Sequence, residues 1–224
     1  MWKSIVYKEW LKTRWFAIIY LLLSILAIAN LFLKVQHDLT FNEAQKYWYM
    51  VVFQNLKYFK HGFFIVLPLL GALTIAVAQY FPETVSKRIK LSYHLPLNEN
   101  KMLLTMMLYG TICILIISVV TFLLFVGLSF IWFPAEIVTG AAITIAPYFL
   151  SGFAVYFLTA LMVLEPVWKY RFLYLIVAAI FVPVYFTRVV IGGYLPALPL
   201  LTVFTVILSI SLLFSGYRFR KGEM

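Results

Sequence analysis

The sequence predicts an all-α, polytopic membrane protein of about six transmembrane helices, with N- and C-termini cytoplasmic. Three observations predict it. Hydrophobic residues make up 64% of the 224 positions and charged residues only 12%, against roughly 45–50% apolar and 25% charged in soluble domains. Apolar runs long enough to cross a hydrocarbon core, about 20 residues each, recur along the chain. The basic residues stand in short clusters between those runs, as in loops that set membrane orientation. A mean hydropathy of +0.98 is more apolar surface than a water-soluble fold can hide. The chain therefore reads as one membrane domain over residues 1–224.

The first span is read at 15–33, between Arg14 and Lys34 and after the basic residues Lys3, Lys8 and Lys12. Ala27-Ile28-Ala29 imitates a signal-peptide cleavage site, but Leu31-Phe32-Leu33 continues the apolar run, so an uncleaved helix is expected. Between Lys34 and Lys60, Phe41, Ala44, Trp48, Val51, Val52 and Asn55 recur at helical spacing and predict a surface-lying helix. The second span is expected at 59–81, with Pro68 inside it, and the third at 102–125. Trp132-Phe133-Pro134 marks an interface. The fourth lies within 137–164, kinked at Pro147, and the fifth is 172–187. Gly192, Gly193, Pro196 and Pro199 then interrupt regular helix over 188–199. The sixth is expected at 200–217.

On this layout thirteen Lys and Arg residues share the side of the termini and five lie opposite. The positive-inside rule then puts both termini in the cytoplasm. The formal charge of +10 is accounted for by these clusters, which argues against nucleic-acid binding. Cys113 is the single cysteine, so no intrachain disulfide forms. His37, His61 and His94 show no HExxH spacing, and Met102, Met106, Met107 and Cys113 read as packing rather than a copper path. No metal site is expected. No GxxxxGK[ST] phosphate loop is present, so this chain is not expected to be an enzyme that hydrolyses ATP, nor to bind a cofactor of its own. The 19% aromatic content fits Trp and Tyr belts at the two interfaces. An arginine at the bilayer centre costs on the order of 2.5–3.5 kcal/mol, so Arg188 is expected to snorkel outward or to face water.

The charged segment 82–101 holds the most information. Pro82 suits the first turn of a helix, Glu83 favours that end of its dipole, and Lys87, Arg88 and Lys90 follow. Val85 and Ile89, four apart, share a face. Pro96 stops this helix, and Asn98 with Glu99 caps the third span. A charged loop that only enforces topology is the other reading, and the residues leave both open.

With these features the sequence resembles the membrane subunit of type-2 ABC transporters, six-helix permeases that work with a separate ATP-binding-cassette protein. The resemblance rests on the basic amphipathic start within residues 1–14 (Lys8-Glu9-Trp10-Leu11-Lys12-Thr13-Arg14), similar to the family's elbow helix. It rests also on Glu83, Lys87-Arg88-Ile89-Lys90 and Leu95-Pro96-Leu97, similar to its coupling region, on the six-span layout, and on Gly192-Gly193-Tyr194-Leu195-Pro196. It implies coupling to the ATPase through Glu83, Val85, Lys87, Arg88, Ile89, Lys90, Leu95 and Pro96, and a substrate path past Arg188, Gly192 and Gly193. It further implies a homodimer or a pairing with a related permease, contact with membrane lipid, ATP and Mg held by the partner, and a place in the bacterial inner membrane. The substrate is not implied. An intramembrane enzyme and a membrane scaffold or sensor subunit are the alternatives; the first needs a polar catalytic pair that the spans lack.

Overall fold

The computed structural model describes residues 2–53, 62–85, 99–165, 167–187 and 193–221. Among the described residues there is no strand, and the regular structure is helical throughout. In chain order the elements are α1 (Trp2–Phe41), α2 (Ala44–Phe53), α3 (Gly62–Val85), α4 (Glu99–Trp132), α5 (Ala135–Leu164), α6 (Trp168–Phe181) and α7 (Leu198–Lys221). A 3₁₀ turn, Val182–Phe186, continues α6.

Among the described residues five helices are long and apolar enough to cross a membrane: Lys3–Phe41, Phe63–Val85, Lys101–Trp132, Ala135–Leu164 and Trp168–Phe186. Leu198–Leu212 of α7 is apolar as well. These helices make the chain an integral membrane protein, because only elements that satisfy their own backbone hydrogen bonds are tolerated in hydrocarbon.

Local chemistry explains where the helices begin and end. No glycine or proline interrupts α1, and its 40 residues make a rod about 60 Å long, twice the hydrocarbon thickness. This corrects the expectation of a separate amphipathic start: residues 2–14 are the first turns of the same helix. α4 likewise runs past the expected 125 to Trp132, where Phe133 and Pro134 turn the chain into α5. The surface helix begins at Ala44, because Phe41 still belongs to α1. α2 buries Tyr47 and Val51 against the bundle, and burial pushes the Tyr47 hydroxyl up to about 12. Pro183 lacks an N–H and crowds the carbonyl four residues back, so α6 tightens into the 3₁₀ turn there.

The helices alternate in direction, and their ends are pinned by named contacts. At one end the start of α1 meets the end of α3 and the start of α4, through Lys12 with Glu83 and Thr13 with Tyr109. At the other, Trp48 Nε1 of α2 donates to the Trp132 carbonyl at 3.1 Å, and the rings of Tyr47 and Phe133 lie 6.1 Å apart. Phe125 of α4 is fully buried there between Phe32 of α1 and Phe64 of α3. α5 is the hub, packing on α3, α4, α6, the 3₁₀ turn and α7. α5 is buried along most of its length whereas α6 buries none of its residues, so α5 is the core helix and α6 lies at the periphery.

Gly152 and Gly71 permit close approaches of α3 to its neighbours. A Cβ on Gly152 of α5 would lie 2.9 Å from the Pro68 carbonyl oxygen of α3, and one on Gly71 would lie 2.3 Å from the Tyr20 ring. Neither position accepts a side chain without displacing its neighbour.

Candidate functional site

The first end of the bundle carries most of the described basic residues: Lys3, Lys8, Lys12, Arg14, Lys101, Lys169 and Arg171, with Arg218, Arg220 and Lys221 in the last turn of α7. Among the described residues only Lys34 and Lys46 stand at the other end.

At the centre of the basic end sits a buried knot of charges. Glu9 of α1 and Glu83 of α3 are both fully buried. The Lys12 ammonium bridges them, 2.7 Å from Glu9 Oε1 and 2.5 Å from Glu83 Oε1. Lys8 Nζ reaches the same Glu83 oxygen at 2.7 Å, one turn earlier on α1. Two cations thus neutralise two carboxylates, the condition under which charges can be held out of water. The Thr13 hydroxyl lies 2.9 Å from the Glu9 carbonyl, to which it donates, and 2.9 Å from the Tyr109 hydroxyl of α4. One turn and a half of α1 therefore grips α3 and α4 together. Among the described residues Glu9 Oε2 and Glu83 Oε2 accept no hydrogen bond, which leaves the knot fastened through one oxygen of each carboxylate.

The helix that carries Glu83 also corrects an expectation. Pro82 does not begin a helix of its own, because α3 continues through it to Val85. The Thr84 hydroxyl donates to the Phe81 carbonyl at 3.0 Å, and the two lysines hold Glu83 in line with the helix axis. Glu83 is spent inside the chain, whereas Val85 is exposed at the end of α3. Lys87, Arg88, Ile89, Lys90, Leu95 and Pro96 lie outside the described residues, as do Arg188, Gly192, His61 and His94.

A second polar network, neutral and fully buried, joins α3, α4 and α5. Gln79 Nε2 donates to the Met106 carbonyl at 2.7 Å, the Tyr156 hydroxyl donates to Gln79 Oε1 at 2.8 Å, and the Tyr80 hydroxyl lies 3.1 Å from that of Tyr156. Gly110 makes room, since a Cβ there would lie 2.1 Å from the Tyr156 hydroxyl. Every polar group of Gln79 that reaches across helices is satisfied, so the network fixes register. It holds no nucleophile with a base beside it. Sequence reasoning passed over Gln79; the signal was an amide inside an otherwise apolar run.

At the far end, Gly193 opens the turn over residues 193–197 that leads into α7. The Tyr194 hydroxyl donates to the Thr187 carbonyl at 2.7 Å, with the Tyr185 and Val184 carbonyls at 3.3 and 3.4 Å. Burial pushes this hydroxyl above its ordinary value, so it stays a donor at neutral pH and caps the carbonyl end of the 3₁₀ turn.

Among the described residues no group of three or more His, Cys, Asp or Glu side chains is close enough to hold a metal ion. The fold and these contacts define an all-helical integral membrane protein fastened at its basic end by a buried ion-pair knot. Comparison with protein-family models, with curated proteins and with solved structures finds no match.

Proposed function

We propose that the chain is the membrane permease subunit of an ATP-driven ABC transporter of exporter type, working with a separate ATP-binding-cassette protein. The observation that carries this reading is the ion-pair knot. It ties α1 to the end of α3 and, through Thr13 and Tyr109, to the start of α4. α3 and α4 are the two helices that flank residues 86–98, the segment that resembles a coupling region. A cassette protein closing on that segment pulls on both helices, and the knot passes the pull to α1. Without it, displacement of the segment would spend itself in two helix ends.

The rest of the reading follows from the chemistry of the residues. The asymmetry of basic charge supports cytoplasmic termini, in a bacterial inner membrane. Val85 and Ile89 supply an apolar ridge, Lys87, Arg88 and Lys90 pair with an acidic groove on the ATPase, and Leu95-Pro96 ends the contact. Arg188, Gly192 and Gly193 line the outer part of the substrate path. ATP and Mg belong to the partner, and the permease acts as a homodimer or with a related chain.

Purification from native membranes in detergent tests the assignment. A cassette ATPase should accompany the chain at a fixed ratio, and ATP hydrolysis should appear only with it. Ile89→Asp places an unpaired charge in the contact, where burial is unfavourable, so the complex should be lost while the permease stays inserted. The assignment is wrong if no cassette protein accompanies the wild-type chain, or if Ile89→Asp retains it at an unchanged ratio.

A further inference from the structure

The periphery of the basic end holds a second feature, a cavity of about 400 Å³ between α3, α5 and α6. It exists because α6 packs mainly on α5 and buries none of its own residues, so the end of α3 and the start of α6 stand apart. Phe81 and Val85 of α3, Val163 of α5, and Phe172 and Leu175 of α6 wall it. Arg171 and Trp168 form its rim at the beginning of α6.

We propose that this wedge binds one anionic phospholipid, with the phosphate on Arg171 and an acyl chain along Phe81, Phe172 and Leu175. Arg171 is held in place from two sides. Its Nε donates to the Glu165 carbonyl at 2.7 Å, and its guanidinium carbon lies 5.1 Å from the centre of the Trp168 ring. Nε is thereby used, and the η nitrogens carry four further N–H donors in a plane that matches a phosphate. Among the described residues no salt bridge reaches Arg171, and the first turn of α6 carries no acidic residue. A fixed guanidinium, outside the described salt bridges, therefore stands above apolar walls.

That pairing selects the occupant. A zwitterionic lipid brings no net charge to Arg171, and a free phosphate leaves the apolar walls uncovered. A lipid with an anionic headgroup satisfies both, with its charge at the level where Trp and Arg mark the membrane interface. The site stands on the membrane-embedded fold alone and does not depend on the transporter assignment.

The test is a lipid titration of the full-length, detergent-solubilised chain followed by native mass spectrometry. Dioleoyl phosphatidylglycerol should bind at one site about fivefold more tightly than dioleoyl phosphatidylcholine, the ratio expected from one basic residue meeting an anionic headgroup. Arg171→Gln should abolish that preference. Arg171→Lys, which keeps the charge but loses the Glu165 contact, should retain most of it. Leu175→Trp should weaken both lipids by filling the wedge. Equal affinities in the wild-type chain overturn the proposal without recourse to any variant. So does a preference that survives Arg171→Gln, or displacement of the lipid by glycerol 3-phosphate, which would make this a simple anion site.

Discussion

Replacing Lys12 by Met is the most direct perturbation of the knot, because it removes the cation shared by two buried carboxylates and keeps the aliphatic stem. In the wild-type chain Lys12 Nζ is 2.7 Å from Glu9 and 2.5 Å from Glu83. After the change Glu83 still has Lys8, whose side chain is 41% exposed, but Glu9 loses its direct partner and feels only the weaker field of Lys8. Removing one partner of a buried ion pair costs about 3–5 kcal/mol, most of it the burden of the charge left behind. Glu83→Gln should cost less, about 1.5–3 kcal/mol for lost charged hydrogen bonds, since Lys12 keeps Glu9 and Lys8 turns to water. The combination Glu9→Gln with Lys12→Met removes the orphaned charge and should be more stable than Lys12→Met alone. Unfolding of the detergent-solubilised protein by increasing sodium dodecyl sulfate, followed by circular dichroism, gives the order. Lys3→Met on the exposed start of α1 is the control. A Lys12→Met protein as stable as that control, or a double variant less stable than the single one, would refute the reasoning.

Gly110→Ala drives a methyl group into the Tyr156 hydroxyl and Gln79 and should cost about 1–3 kcal/mol. Gly127, on the same helix, faces open space, so Gly127→Ala should be neutral or stabilising by up to about 1 kcal/mol; thermal stability in detergent separates the two, and equal values would show that the network is not closely packed. Tyr194→Phe keeps the ring and loses the cap of the 3₁₀ turn, worth about 1 kcal/mol. Amide exchange in residues 182–187 should rise while the rest of the bundle is unchanged, and unaltered exchange there would remove Tyr194 from that role.

The helices were legible because span length is a counting problem. Runs such as 137–164 announce α5 with no help from tertiary structure. The boundaries failed where charges stood. Lys8, Lys12 and Glu83 read as surface features that end helices, since nothing local shows that a side chain 71 positions away will neutralise Lys12. Once that pair forms, the polar turn of α1 remains on the helix axis and α3 passes through Pro82. Gln79 could be seen as an amide in an apolar run, but its partners could not, for a related reason: Tyr156 and the Met106 carbonyl lie on two other helices. Pro183 was passed over in reading 172–187 as one span, although its missing N–H tightens the end of α6. The burial of α5 against the exposure of α6 was beyond a reading of composition, because both helices are apolar and only packing tells a core helix from a peripheral one.

The contact between Gly152 and the Pro68 carbonyl has a mechanical meaning. Where two backbones touch, sliding by one residue brings a side chain into the space that the glycine leaves empty. α3 and α5 are thereby keyed to each other like a tongue in a slot, with Ala72 filling the next gap at 3.6 Å. The pair behaves as a keel, and any change of shape must be taken up by the helices on its flanks: α1 and α4 on one side, α6 and α7 on the other. The knot joins α1 and α4 to the keel at one end, while nothing comparable among the described residues ties α6 to α3. Of the flanking helices, α6 is the one least held, since it buries none of its own residues, whereas α7 packs on both α5 and α4.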